Sequence, residues 1–207
     1  MTIKGLKPFK TMQFIKEVYG IYRLKIPFEE LYTSVFLIQT ENNFILFDSG
    51  SNANDVDNYI VPALQKILPA KSQLNAVIIT HNHQDHAGGL SRLLEIYPHL
   101  TVITGVQTIS DELNVYAVPG HLNSCIGLLD LRSGTLLSGD GLQGHGVGKY
   151  RCSLESKENY LNTIEKIEKE PRIENILFSH AYEPWYQDGV FGREQVLQCL
   201  QDCKKYI

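Results

Sequence analysis

Long apolar runs are the first thing this 207-residue chain lacks. No stretch approaches the ~20 consecutive apolar residues needed to cross a bilayer, so no membrane span is expected. The opening "MTIKGLKPFKTMQFIKEV" carries lysines but no apolar core of signal-peptide length; a cytoplasmic protein is expected. Cysteine is scarce, at Cys125, Cys152, Cys199 and Cys203. Without a secretory signal an even count is poor evidence for disulfides. Cys199 and Cys203, four apart on a predicted helix, read as packed thiols rather than a metal pair. Basic excess is also missing: 19 Lys and Arg against 23 Asp and Glu leave a net charge of −4. With no basic stripe, nucleic acid is not an expected partner. Repeats, low-complexity stretches and linkers are absent too, and the length fits one domain, 1–207, with a sizeable core.

What is present is a series of short β-branched and aromatic runs separated by amphipathic ones. The early segments read as strands. "TSVFLIQTENNFILFDSG" holds two apolar runs around Glu41-Asn42-Asn43, a hairpin pattern. Asn52-Ala53-Asn54 can cap the helical run "DVDNYIVPALQKIL". "NAVIIT", "LTVIT", "LNVYAV" and "IENILF" predict strands; "CIGLLDLRSGTLLSGD" predicts a hairpin turning at Arg132-Ser133-Gly134. "GGLSRLLEIY", "KENYLNTIEKIEKE" and "GREQVLQCLQDCKKY" predict helices, the second stopped by Pro171. Strands in runs with helices after each half predict an α/β protein: two packed sheets with helices outside.

Of seven histidines, three stand in "HNHQDH", residues 81–86, beside Asp85. The same residue types recur where strands end. "NAVIIT" leads to His81, "LNVYAVPG" to His121, "GTLLSG" to Asp140, "IENILFS" to His180 and "FILF" to Asp48. Rigid elements that deliver ligands to one rim are what a metal site needs. His81, His83, His86, His121 and His180 offer imidazoles, and Asp85 and Asp140 offer carboxylates. Seven donors are too many for one tetrahedral zinc and suit two ions that share a carboxylate. Imidazole and carboxylate without thiolate favour zinc, iron or manganese over copper(I) or calcium.

"HNHQDHAGG" resembles the H-x-H-x-D-H motif of the metallo-β-lactamase superfamily. The resemblance continues in order through "DSG" (48–50), "PGH" (119–121), "SGD" (138–140) and "FSH" (178–180). It implies an αββα sandwich of two mixed sheets with the metals at one edge. It also implies that His81, His83 and His121 hold one metal, Asp85, His86 and His180 the other, and that Asp140 bridges. Asp48 would hold a ligand by a hydrogen bond rather than touch a metal. An aspartate at 140 separates the chain from true zinc β-lactamases. It is similar to glyoxalase II (hydroxyacylglutathione hydrolase), lactonases, persulfide dioxygenases and nucleases of the fold. "GDGLQGHGVGKY" (139–150) resembles the glycine-rich loop of glyoxalase II, which implies that Lys149 and Tyr150 line the substrate pocket. The chain departs from that enzyme in two ways. Only about one helix follows His180, where glyoxalase II has a C-terminal helical domain, and only 34 residues separate His86 from His121. Gln143 stands where lactonases often place a tyrosine.

The resemblance implies a hydrolase of a small-molecule thioester, ester or lactone with two Zn2+, or iron or manganese. Two cations about 3.5–4 Å apart would lower the pKa of a bridging water toward ~7, generating hydroxide. Asp85 would orient it and pass a proton to the leaving group. Two alternatives stand beside it: a mononuclear iron persulfide dioxygenase, which shares the ligand pattern, and a non-catalytic metal-binding protein of the same fold, against which the seven-ligand set argues.

Overall fold

Phe44–Phe47 and Ile126–Asp130 are buried at every position, which excludes a sheet with one face in water. In the computed structural model, which describes residues 12–146, 154–205 and 207, two sheets satisfy that requirement. The first has the strand order β1 (Ile15–Val18), β2 (Ile21–Phe28), β3 (Leu31–Gln39), β4 (Phe44–Phe47), β5 (Leu74–Ile78), β6 (Thr101–Ile103). The second runs β12 (Gly189–Phe191), β11 (Asn175–Leu177), β10 (Thr135–Leu137), β9 (Ile126–Asp130), β8 (Leu113–Ala117), β7 (Thr108–Ser110). Lys149 and Tyr150 lie outside the described residues.

Three apolar layers result. Phe36, Phe47 and Ile78 meet Val115, Leu128 and Leu177 between the sheets. Outside the first sheet, Leu37, Leu46 and Val77 pack on the helical segment from Ala53 to Leu64 and on Leu93 and Tyr97 of the Leu90–Ile96 helix and its end. Outside the second, Leu129 and Ile176 pack on Tyr160, Ile164, Val196 and Leu200 from the helices Lys157–Glu168 and Arg193–Lys204. The expected α/β architecture with helices outside two mixed sheets is the one found. No helix among the described residues is long and apolar enough to cross a membrane.

Two local features depart from the pattern expected of the sequence. The capped helix is not uniform: after Asn52, which accepts from the Asn54 and Asp55 amides, Val56–Ile60 widens into a π turn before Val61–Leu64. Pro62 has no amide hydrogen and its ring crowds the carbonyl four residues back, so a wider turn there is the less strained solution. Strands β7 and β12 carried no sequence signal because each has only three residues, too few to show a period.

Strand direction sets the rim. β4 and β5 run parallel, and in the second sheet β8 and β10 both oppose β9 while β10 parallels β11. The carboxyl ends of β4, β5, β8, β10 and β11 therefore share one edge of the sandwich. β3 is antiparallel to β4 and brings its amino end, Leu31 to Thr33, to that same edge.

The glycine pair after the histidine motif has a packing reason. A Cβ on Gly88 would lie 2.0 Å from the Ser51 carbonyl oxygen, and one on Gly89 2.1 Å from that of Ser49. The backbone of 49–51 is thereby seated directly on the turn that carries Asp85 and His86, with the Ser49 amide donating to the His86 carbonyl at 2.8 Å. Gly88→Ala should destabilise the protein by about 3 kcal/mol or more, because backbone rather than a flexible side chain must move. In thermal unfolding that is a fall of about 6–12 °C; an unchanged melting temperature would mean that the two segments separate freely.

Candidate metal centre

His81 follows β5, and the chain then turns at His83 into one helical turn, Gln84–Ala87, that carries Asp85 and His86. His121 follows β8, Asp140 follows β10, and His180 follows β11. The fold brings all seven together. His83 Nδ1 lies 3.0 Å from His81 Nε2 and 3.1 Å from His121 Nε2. A second group forms around Asp85, whose Oδ2 is 3.2 Å from His86 Nε2 and 3.2 Å from His180 Nε2. Asp140 spans the two. Its Oδ1 is 3.5 Å from His86 Nε2 and 3.3 Å from His180 Nε2, while its Oδ2 faces His121 Nε2 at 3.8 Å.

The donors fit metal ions. His81, His83 and His121, and separately Asp85, His86 and His180, each present ligand atoms within 4.8 Å of one another. A tetrahedral ion with bonds of about 2.0–2.1 Å would separate its ligand atoms by about 3.3 Å, close to the spacings seen. His86 Nε2 and Asp140 Oδ1 are buried with no hydrogen-bond partner among the described residues. Buried polar atoms are rarely left so, and a cation between them would satisfy both.

Charge points the same way. Burial pulls His180 down, but Asp140 and Asp85 outweigh it and raise its pKa to about 10. His86 is raised in the same manner by Asp140 and Asp48 against its own burial. Burial raises Asp85 and Asp140, yet these two imidazoles hold both carboxyls below the ordinary range. His81 is pushed down to about 2 by burial and by the charge on His86. Protons on His86 and His180 thus offset the carboxylates where a divalent cation would replace them.

A ring of hydrogen bonds aims the ligands. Asp48, fully buried, adopts φ 66, a left-handed conformation that Asp tolerates better than bulkier residues. Its Oδ2 accepts from His86 Nδ1 at 2.7 Å, and its Oδ1 accepts from the Thr80 amide at 2.9 Å. The Thr80 hydroxyl reaches Asp48 Oδ2 at 3.1 Å and His81 Nδ1 at 3.0 Å. With the hydroxyl proton given to Asp48, Thr80 accepts from His81 Nδ1, which leaves Nε2 to face the cluster. Gly139, at φ +55, makes room: a Cβ there would stand 3.0 Å from Thr80 Cγ2. His180 Nδ1 donates to the Tyr32 carbonyl at 2.8 Å.

Thr80 and the β3 residues were missed in the sequence. Thr80 had a weak signal, as a hydroxyl beside the first ligand; Tyr32 and Thr33 had none. Also unforeseen is the buried Arg23, whose guanidinium meets Asp188 at 2.9 Å and Glu17 at 3.1 Å. Asp188 also accepts from the Tyr32 hydroxyl at 2.9 Å. These contacts tie the loop after His180 to β2 and β3. In that loop Trp185 stacks on His145 at 4.5 Å, so His145 stays apart from the ligand groups found among the described residues. His99 bonds the Leu74 carbonyl at 3.0 Å, away from the rim.

The architecture is that of the metallo-β-lactamase fold. Residues 29–109 match the family model of the metallo-beta-lactamase superfamily. Among solved structures, the chain is similar to a metallo-beta-lactamase from Erythrobacter litoralis (TM-score 0.68, 17% identity, 95% of this chain and 99% of that one). It is also similar to the metallo-beta-lactamase FIM-1 from Pseudomonas aeruginosa (TM-score 0.72, 14% identity, 95% and 96%). The family match covers residues 29–109, and the likeness to the two solved structures extends over 95% of the chain and is one of fold. Curated relatives are hydroxyacylglutathione hydrolases. One from Vibrio campbellii is 29% identical over 58% of this chain, and one from Methylobacillus flagellatus is 27% identical over 80%. The matches span 53% and 76% of those proteins' own lengths, so the chain spans about half of the first.

Proposed function

We propose that this chain is a hydrolase with a two-metal centre, zinc by the chemistry of its donors, that cleaves a small thioester, ester or lactone. The observation that carries this reading is Asp140, whose two oxygens face two separate ligand groups. His81, His83 and His121 would hold one ion, Asp85, His86 and His180 the other, and Asp140 both. Once bound, such a pair supplies a water acidic enough to ionise near neutral pH and polarises a carbonyl.

The chain's own groups do the rest. Asp85 carries a carboxylate at the centre of the second group and, among the described residues, is the one acid there besides the shared Asp140. It orients the attacking water, takes up its proton and returns it to the leaving group. No further acid is needed for a thiolate, which leaves with little help. His86 and His180 are held by their Nδ1 atoms and keep Nε2 inward. The low net charge suits a small neutral or weakly charged substrate rather than a polyanion. The relatives' name, hydroxyacylglutathione hydrolase, supports the thioester first among the three bond types.

The test is a panel of thioesters, lactones and phosphodiesters offered to zinc-loaded and iron-loaded protein, with and without a chelator. Turnover of a thioester, ester or lactone that the chelator abolishes is expected. One tightly held iron with oxygen uptake on a persulfide, and no hydrolysis, would replace this reading with the dioxygenase.

A further inference from the structure

We propose that Thr33 is a positioning residue for the second metal group, setting which oxygen of Asp85 faces the ions. This role rests on the two-metal reading above. Thr33 is buried at the amino end of β3, and its hydroxyl donates to Asp85 Oδ2 at 2.9 Å. That same oxygen faces His86 Nε2 and His180 Nε2, each at 3.2 Å.

The need for such a bond follows from the side chain. The terminal torsion of aspartate is broad and nearly two-fold, so a carboxylate on a single helical turn does not hold its own plane. Each residue of the second group is held by a partner from outside it, the two imidazoles through Nδ1 and Asp85 through the same Oδ2 that faces them. His86 has Asp48 and His180 has the Tyr32 carbonyl; Asp85 has Thr33. Two of the three partners are consecutive residues of β3. The same strand end is fastened to the other sheet, where the Ser34 amide donates to the Ser179 carbonyl at 2.8 Å. One rigid strand therefore sets the aim of two ligands that arrive from different sheets. A hydroxyl at this position does what the sequence motif itself has no residue to do.

The experiment compares unaltered protein with Thr33→Val, Thr33→Ala and Thr33→Ser. Zinc affinity is read by chelator competition, the cobalt-substituted visible spectrum reports ligand geometry, and a thermal melt reports folding. In Thr33→Val and Thr33→Ala one of the two ions should bind about ten- to a hundredfold less tightly, the range for losing a hydrogen-bond partner of a ligand. The cobalt bands should shift, and the other ion should be unaffected. Thr33→Ser should restore affinity and spectrum, because it keeps the donor. In turnover the loss should fall on kcat with KM little changed.

If either hydroxyl-free variant binds both ions as the unaltered protein does, Thr33 has no such role, while the function proposed above stands. If Thr33→Ser is as weak as Thr33→Val, the methyl's packing and not the hydroxyl matters, and the proposal is again overturned. An unaltered protein that takes up no second ion would remove the two-metal reading and this role together.

Discussion

Asp140→Ala should retain about one metal ion per chain where the unaltered protein holds two, by elemental analysis of zinc-loaded material. The geometry makes this the most damaging single change at the rim. One oxygen serves His86 and His180, and the other faces His121, so its removal weakens both groups. The residue is buried, and its Oδ1 has no other partner among the described residues. With carbonyl polarisation by an ion worth several kcal/mol, kcat/KM should fall by about 10³ or more. Asp140→Asn checks the cause while keeping the shape: it presents an oxygen to one group and an amide to the other, and should lose the ion on the amide side. Two fully held ions in both variants would show that the two groups are independent and that Asp140 bridges nothing.

Asp85→Asn is expected to behave differently. The amide keeps one oxygen for the Thr33 hydroxyl and the second group, so much of the metal should remain. It cannot carry a proton, so kcat should drop by about 10²–10⁴ while KM changes little. The loss should depend on the leaving group. Alkyl esters, whose alkoxide needs a proton, should suffer more than thioesters, whose thiolate does not. A full complement of metal with near-normal turnover on both would rule out Asp85 as the proton carrier. A uniform loss on both would place its effect on the water rather than on the leaving group.

Much of the rim was legible because its residues sit next to local signals. His81, His121, Asp140 and His180 each stand a few residues past an apolar run, and a short β-branched run between turn residues reads as a strand without tertiary knowledge. The Asn52 cap and the helices at Lys157–Glu168 and Arg193–Lys204 were legible for the same reason: one turn of helix carries its own pattern. β7 and β12 were not, since three residues are too few to show a period.

The partners that aim the ligands were hidden by distance along the chain. Thr33 and Asp85 are 52 residues apart, Asp48 and Thr80 are 32, and His180 and the Tyr32 carbonyl are 148. The sequence alone determined the donor types, their order and their delivery at strand ends, because ligand chemistry and strand period are both local properties. Only the tertiary structure decided that β3 runs antiparallel and returns its amino end to the same rim. Strand direction follows from pairing and packing of the whole sheet. That is why a threonine in an ordinary β-branched run stands against the Asp85 carboxylate.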